Sequence, residues 1–265
     1  MINKKDIIFT LFICTMFLTR TAWSEMRPVK KIRAGIPPFE VIEKVVRTND
    51  KMMVKKEAIE EKEITPATPF LAWVTDTDPE IEAAMLIDDP NKSRLIYQIR
   101  TPGGQIELAQ GSIDYGIWQL HAPVLLITGN TASHALHLFM QGYKHLSVEN
   151  QKALDGLKIP LKHDNKDEDF SLRLRKNVEA GIDYQINLAM ERYQERIADG
   201  RLTVVGSVLD LANLYGRGAG RHLIIRVNNE KEPARIKEMP IMSRLDPRLL
   251  ERNIGRDVKM KGEKN

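Results

Sequence analysis

The chain has a single cysteine among its 265 residues, Cys14, and it sits inside an N-terminal apolar stretch. Beyond that stretch there is no thiol, so disulfides and thiolate metal ligands are excluded from the rest of the chain. Long apolar runs are equally scarce. The stretch over residues 7–18 falls short of the roughly 20 residues that span a bilayer, and no later run exceeds it. Aromatic side chains make up only 6% of the chain. No basic run is interleaved with them as a nucleic-acid surface requires, which argues against nucleic acid as a partner.

Lys4 and Lys5 precede the apolar stretch, and Ala22 and Ser24 follow it in an Ala-x-Ser arrangement. This reads as a cleavable secretory signal over residues 1–24, with an uncleaved anchor as the alternative. It predicts an exported protein, periplasmic or secreted, with no stable membrane insertion after cleavage. Without Lys4, Lys5, Arg20 and Asp6 the formal charge falls from +4 to +2, since three cations leave with one anion. Net charge therefore says little about partners. A linker over 25–37, one domain over 38–228 and a charged, proline-punctuated, loosely ordered tail over 229–265 are expected, with one short helix in the tail around 247–253.

Phe39, Ile42, Val45, Val46, Met52 and Met53 recur at helical spacing among charges, which predicts an N-terminal amphipathic helix broken near Asn49. Apolar runs over 70–75, 94–100, 123–128 and 202–208 predict strands, and the segments over 107–120, 131–142 and 168–199 predict helices. Alternation of this kind implies an α/β fold with a mostly parallel sheet flanked by helices.

The order of these pieces resembles the β-class carbonic anhydrases over roughly residues 38–228. Val46 to Lys51 resembles the Gly-Asn-x-x-Phe element of that family, and 71–79 stands in the place of its Cys-x-Asp-x-Arg strand end. The segment from Asp89-Pro90 to Thr101-Pro102-Gly103-Gly104 resembles the stretch ending in Arg-Asn-Ala-Gly-Asn. Gly111-Ser112-Ile113-Asp114-Tyr115-Gly116 looks like its Ser-Leu-Glu-Tyr-Ala helix. Gly129-Asn130-Thr131-Ala132-Ser133-His134 stands where the family has Gly-His-x-x-Cys-Gly, and Asn177-Val178 and 202–210 resemble a later helix and the last core strand. The resemblance implies a homodimer in which the N-terminal helix lies on the partner.

The departures fall on the chemistry. In the family, two cysteines and one histidine hold a zinc ion that lowers the pKa of bound water to about 7. The matching positions here are Val74, Asn130 and Ser133. The family's aspartate persists as Asp76, but its arginine partner is replaced by Asp78. A relocated metal site would draw on Asp76, Asp78, His134 and His137, with zinc as the cofactor under that alternative and no cofactor otherwise. The competing reading makes Asp76 a turn or helix cap, places Asp78 in an exposed loop, and leaves the histidines as ordinary helix residues. His121, His145, His163 and His222 show no ligand spacing and are expected at the surface or satisfied.

A helix start at 129–133 with Asn130, Thr131, Ser133 and a nearby Arg100 also offers a site for a small anion such as bicarbonate, or simply caps the helix. Ser133 has no recognisable base and orienter for hydrolysis. Gly216, Gly218 and Gly220 match no phosphate-loop fingerprint and predict a turn with two solvated arginines, Arg217 and Arg221. The sequence therefore leads to an exported carbonic-anhydrase-like binding or structural scaffold without zinc-dependent hydration, the alternative being a carbonic anhydrase with the relocated Asp/His metal site.

Overall fold

The computed structural model describes residues 42–48, 68–87, 95–162 and 164–258. The expected signal peptide over 1–24, the linker over 25–37, Phe39, Asn49, Met52, Met53, Asp89-Pro90 and His163 lie outside the described residues. The chain divides into two units between Ile64 and Thr65. In the first, helix α1 spans 42–48 and covers the middle of the predicted amphipathic helix, with Ile42, Val45 and Val46 exposed.

The second unit runs β1 (Leu71–Thr75), β2 (Ile96–Arg100), α2 (Gln110–Asp114), β3 (Val124–Asn130), α3 (His134–Gln141), α4 (Val148–Asp155), α5 (Phe170–Arg192), α6 (Gln194–Ala198), β4 (Thr203–Asp210), β5 (Arg221–Val227), α7 (Pro233–Glu238) and α8 (Pro247–Asn253). A 3₁₀ turn over Ile106–Ala109 leads into α2, and a π-helical turn over Tyr115–Gln119 continues it. The strands form one sheet in the order β2-β1-β3-β4-β5. The first four are parallel, and β5 runs antiparallel on the edge beside β4. The fold class read from the alternating pattern is the one observed.

Buried parallel strands carry apolar residues on both faces. Val74, Leu125, Ile127, Val204 and Val208 face one side, where Leu174, Val178, Ile182 and Ile186 of α5 meet them. Those α5 positions recur every four residues, so they form one stripe of the helix. Two glycines let α5 lie close. A Cβ on Gly129 would come within 2.7 Å of Val178 Cγ1, and one on Gly206 within 2.8 Å of Ile182 Cγ2. The other face carries Trp73, Ile96, Leu126 and Leu209, covered by Ile81 and the residues that follow it. There the Trp73 indole N–H donates to Thr128 Oγ1 at 2.8 Å, closing a chain through Ser207 Oγ.

Residues 229–258 correct the expectation of a loosely ordered tail. Helix α8 forms where the short helix was predicted, but α7 and a further 3₁₀ turn over Pro240–Met242 precede it. Ile236, Met242 and Ile254 bury against Val227. Ile254 bridges β5 at Ile224, and the Gly255 N–H donates to the Ile224 carbonyl at 2.9 Å. The glycine-rich segment is a turn, as predicted, with positive φ at Gly216, Gly218 and Gly220. Its arginines are half-buried rather than free in solvent. Arg217 donates to the carbonyls of Ile254 and Asp257, each at 3.0 Å, and Arg221 to Asn253 Oδ1 at 3.1 Å. Arg256 adds ion pairs to Glu179 and Asp183 of α5. Charges that read locally as solubility are thus long-range clamps.

Docking of this segment has a measurable cost when broken. Ile236→Ala, at a fully buried position, is expected to lower the unfolding free energy by about 2–4 kcal/mol. Urea denaturation checks this, and an unchanged midpoint would mean that 229–258 contributes nothing to the domain.

Candidate functional site

The carboxyl ends of the parallel strands gather the polar residues that the sequence singled out. From β1 the chain crosses to β2 on one side and later to β3 on the other. The connections therefore diverge at the β1/β3 boundary and leave a crevice there. The end of β1 delivers Asp76 and Asp78, the end of β3 delivers Asn130, and the turn into α3 delivers Ser133. All four side chains are at least nine-tenths buried.

They are bonded to one another. Ser133 Oγ donates in a short hydrogen bond to Asp76 Oδ2 and accepts the Leu136 N–H at 3.1 Å, so it caps α3. Asp76 Oδ1 accepts the N–H groups of Thr77 at 2.7 Å and Gly103 at 3.0 Å. Asn130 Nδ2 donates to Asp78 Oδ2 at 3.0 Å, and its Oδ1 accepts the Ala132 N–H at 2.8 Å. The backbone N–H of His134, in the first turn of α3, points at Asp78 Oδ2 from 3.2 Å. Asp78 is thus an internal anion at the positive end of a helix.

This geometry revises several expectations. Asp76 accepts from Thr77, Gly103 and Ser133 while Ser133 is the cap of α3, and Asp78 is buried rather than exposed in a loop. The donors proposed for bicarbonate are already engaged. Asn130 and Ser133 serve the two aspartates, and Thr131 Oγ1 donates to Asp210 Oδ1, at the end of β4, at 3.0 Å. Arg100 donates to the carbonyl oxygens of Asp78 and Ile81 and anchors that loop. Two carboxylates in the crevice also repel an anion.

Nor do the residues fit the zinc ion that the family resemblance implies. Val74 is fully buried in the apolar core and has no donor atom. The Asn130 amide and Ser133 hydroxyl are poor zinc ligands and are committed to Asp78 and Asp76. The relocated set is not assembled either. His137 Nδ1 lies 2.6 Å from the Ser133 carbonyl, and its ring packs on Phe170. Among the described residues, no group of three or more His, Cys, Asp or Glu side chains is gathered to hold a metal ion. No helix among them is long and apolar enough to cross a membrane. His222 departs from its expectation in another way. Both ring nitrogens are buried without a hydrogen bond, and burial pulls its pKa down to about 4.

Beside Asp78 opens a cleft of about 610 Å³, lined among others by Pro79, Pro102, Ala135, Leu138, Leu154 and Leu211. The sequence reading did not foresee α4, which supplies one wall. Its start carries a signal all the same, since Ser147 caps it by accepting the Asn150 N–H.

Burial, and after it the charge of Asp76, raises the Asp78 pKa above its ordinary value, against the opposing hydrogen bonds from His134 and Asn130. An acid whose pKa is raised by folding stabilises the fold while protonated and costs stability as pH rises through the shifted value. Asp78→Asn is therefore expected to raise the thermal midpoint at pH 7, with the gain shrinking as pH falls toward the ordinary carboxylate pKa. Thermal melts across pH 4–8 check it, and a midpoint lowered at pH 7 would contradict it.

Comparison with protein-family models and with curated proteins found no match. Solved structures do match. A tetrameric β-carbonic anhydrase from Sordaria macrospora is 16% identical with a TM-score of 0.57, over 70% of this chain and 97% of that one. The Coccomyxa β-carbonic anhydrase in complex with acetazolamide is 15% identical with a TM-score of 0.56, over 82% of this chain and 96% of that one. The β-carbonic anhydrase CafA of Aspergillus fumigatus is 16% identical with a TM-score of 0.55, over 76% and 97% respectively. The mostly parallel five-stranded sheet with its flanking helices is the β-carbonic anhydrase fold.

Proposed function

We propose that this chain is an exported binding scaffold of β-carbonic anhydrase fold that does not carry out zinc-dependent hydration of carbon dioxide. One observation carries the reading. The residues at the family's zinc-ligand and Asp-Arg positions close on one another, Ser133 on Asp76 and Asn130 on Asp78, with the Asp78 carboxylate against the first turn of α3. Loss of a single ligand would leave a weakened metal site. Here every ligand position carries a residue of the wrong chemistry, and the two polar ones, Asn130 and Ser133, are hydrogen-bonded to Asp78 and Asp76. Export rests on the basic residues, apolar stretch and Ala-x-Ser pattern of residues 1–24.

The test is elemental mass spectrometry of the mature protein, purified without a histidine tag, together with a carbon dioxide hydration assay in added zinc. The expected result is substoichiometric zinc and no rate above the uncatalysed reaction. Near-stoichiometric zinc with activity would overturn the reading.

Self-association into a homodimer belongs to the same proposal. Ile42, Val45 and Val46 on α1 are each more than 60% exposed, an apolar stripe suited to a partner chain. Sedimentation equilibrium is expected to show a dimer that Val45→Asp combined with Val46→Asp shifts toward monomer. An unchanged dimer in that variant would place the contact elsewhere.

A further inference from the structure

The cleft beside Asp78 has a chemistry that the family resemblance does not describe. It lies at the point where the connections of the sheet diverge, outside the carboxyl ends of β1 and β3, which is where open α/β sheets take their ligands. Its volume of about 610 Å³ suits a small organic molecule rather than a single ion. Ala135, Leu138, Leu146, Leu154 and Leu211 make its apolar walls, and Asp78 and Glu80 supply its charge. Among the described residues no lysine or arginine lines it.

No cationic side chain among the described residues answers these carboxylates. Among the described residues neither Asp76 nor Asp78 makes an ion pair, and Arg100 beside them turns to the carbonyls of Asp78 and Ile81. A buried carboxylate is costly unless it is paired or hydrogen-bonded. Asn130 and the His134 N–H meet only part of that need, since each carboxylate oxygen accepts two bonds. A metal ion is a poor answer, because among the described residues no group of three or more His, Cys, Asp or Glu side chains is gathered to hold one, and apart from Asp78, Glu80, Thr77, Asn130, His134 and Asn150 the lining is apolar. An ammonium group on an apolar body answers both features at once.

We propose that this cleft binds a small organic ammonium ligand, its cation between Asp78 and Glu80 and its apolar body against α3 and α4. The inference deepens the scaffold reading and rests on it, because a zinc-bound hydroxide in the crevice would compete for the same carboxylates.

The test is calorimetric titration of the zinc-free, full mature chain at pH 7 with three probes that share a phenylethyl body: 2-phenylethylammonium, 2-phenylethanol and 3-phenylpropanoate. The ammonium is expected to bind at least about tenfold more tightly than the other two, the scale of one charged contact. Asp78→Asn is expected to remove most of that preference while its melting midpoint stays at or above that of the unaltered protein, which excludes misfolding as the cause. Glu80→Gln is expected to weaken binding by a smaller factor, and Leu138→Trp, which fills the cleft, to weaken all three probes. Equal or tighter binding of the alcohol or the carboxylate, no binding of any probe, or undiminished ammonium affinity in Asp78→Asn would overturn the proposal. The metal and hydration assays report on the scaffold reading separately, so the failure of one is distinguishable from the failure of the other.

Discussion

The arrangement at the sheet's carboxyl edge depends on one contact, the Asp78 carboxylate set against the first turn of α3 and bonded to Asn130 at the end of β3. A helix N-terminus offers unsatisfied N–H groups and a partial positive charge. In this protein the chain fills that position with its own anion. The companion bond from Ser133 to Asp76 ties the same helix start to the end of β1, and Asp76 in turn holds the Gly103 N–H beyond β2. Three strand ends and one helix are thereby joined through two side chains.

This arrangement reverses the electrostatics expected of the crevice. A carbonic-anhydrase-like site with a zinc ion presents positive charge to an anionic product. The present crevice gathers two carboxylates, and it sends Arg100 to anchor a loop. The raised Asp78 pKa follows from burial and from Asp76. Ala135 and Leu138 of α3 and Ala153 and Leu154 of α4 give the cleft its apolar side.

The C-terminal segment illustrates a different limit of sequence reading. Proline, charge and few aromatics over 229–265 suggest a loosely ordered chain when each window is judged alone. In the structure, arginines from the turn at 215–221 and acids from α5 reach that segment across 32–77 positions. Ile236, Met242 and Ile254 are too sparse to give a periodic signal, yet they close a small core with Val227.

Most of the fold was legible in the residues themselves. Apolar β-branched runs bounded by glycine or proline set the strands, and the four-residue spacing of Leu174, Val178, Ile182 and Ile186 set the long helix, because both patterns are local consequences of backbone geometry. The absence of thiols downstream of Cys14 alone ruled out the thiolate zinc site. The sequence also pointed to Asp76, Asp78, Asn130 and Ser133 as the residues to watch. It left open whether they would bind a metal, bind an anion or cap a turn and a helix start. Only the tertiary structure showed which of these groups bond to one another, because that turns on whether a carboxylate from β1 reaches a helix start more than 50 residues later, and hydrogen-bond partnership over such separations has no local signature.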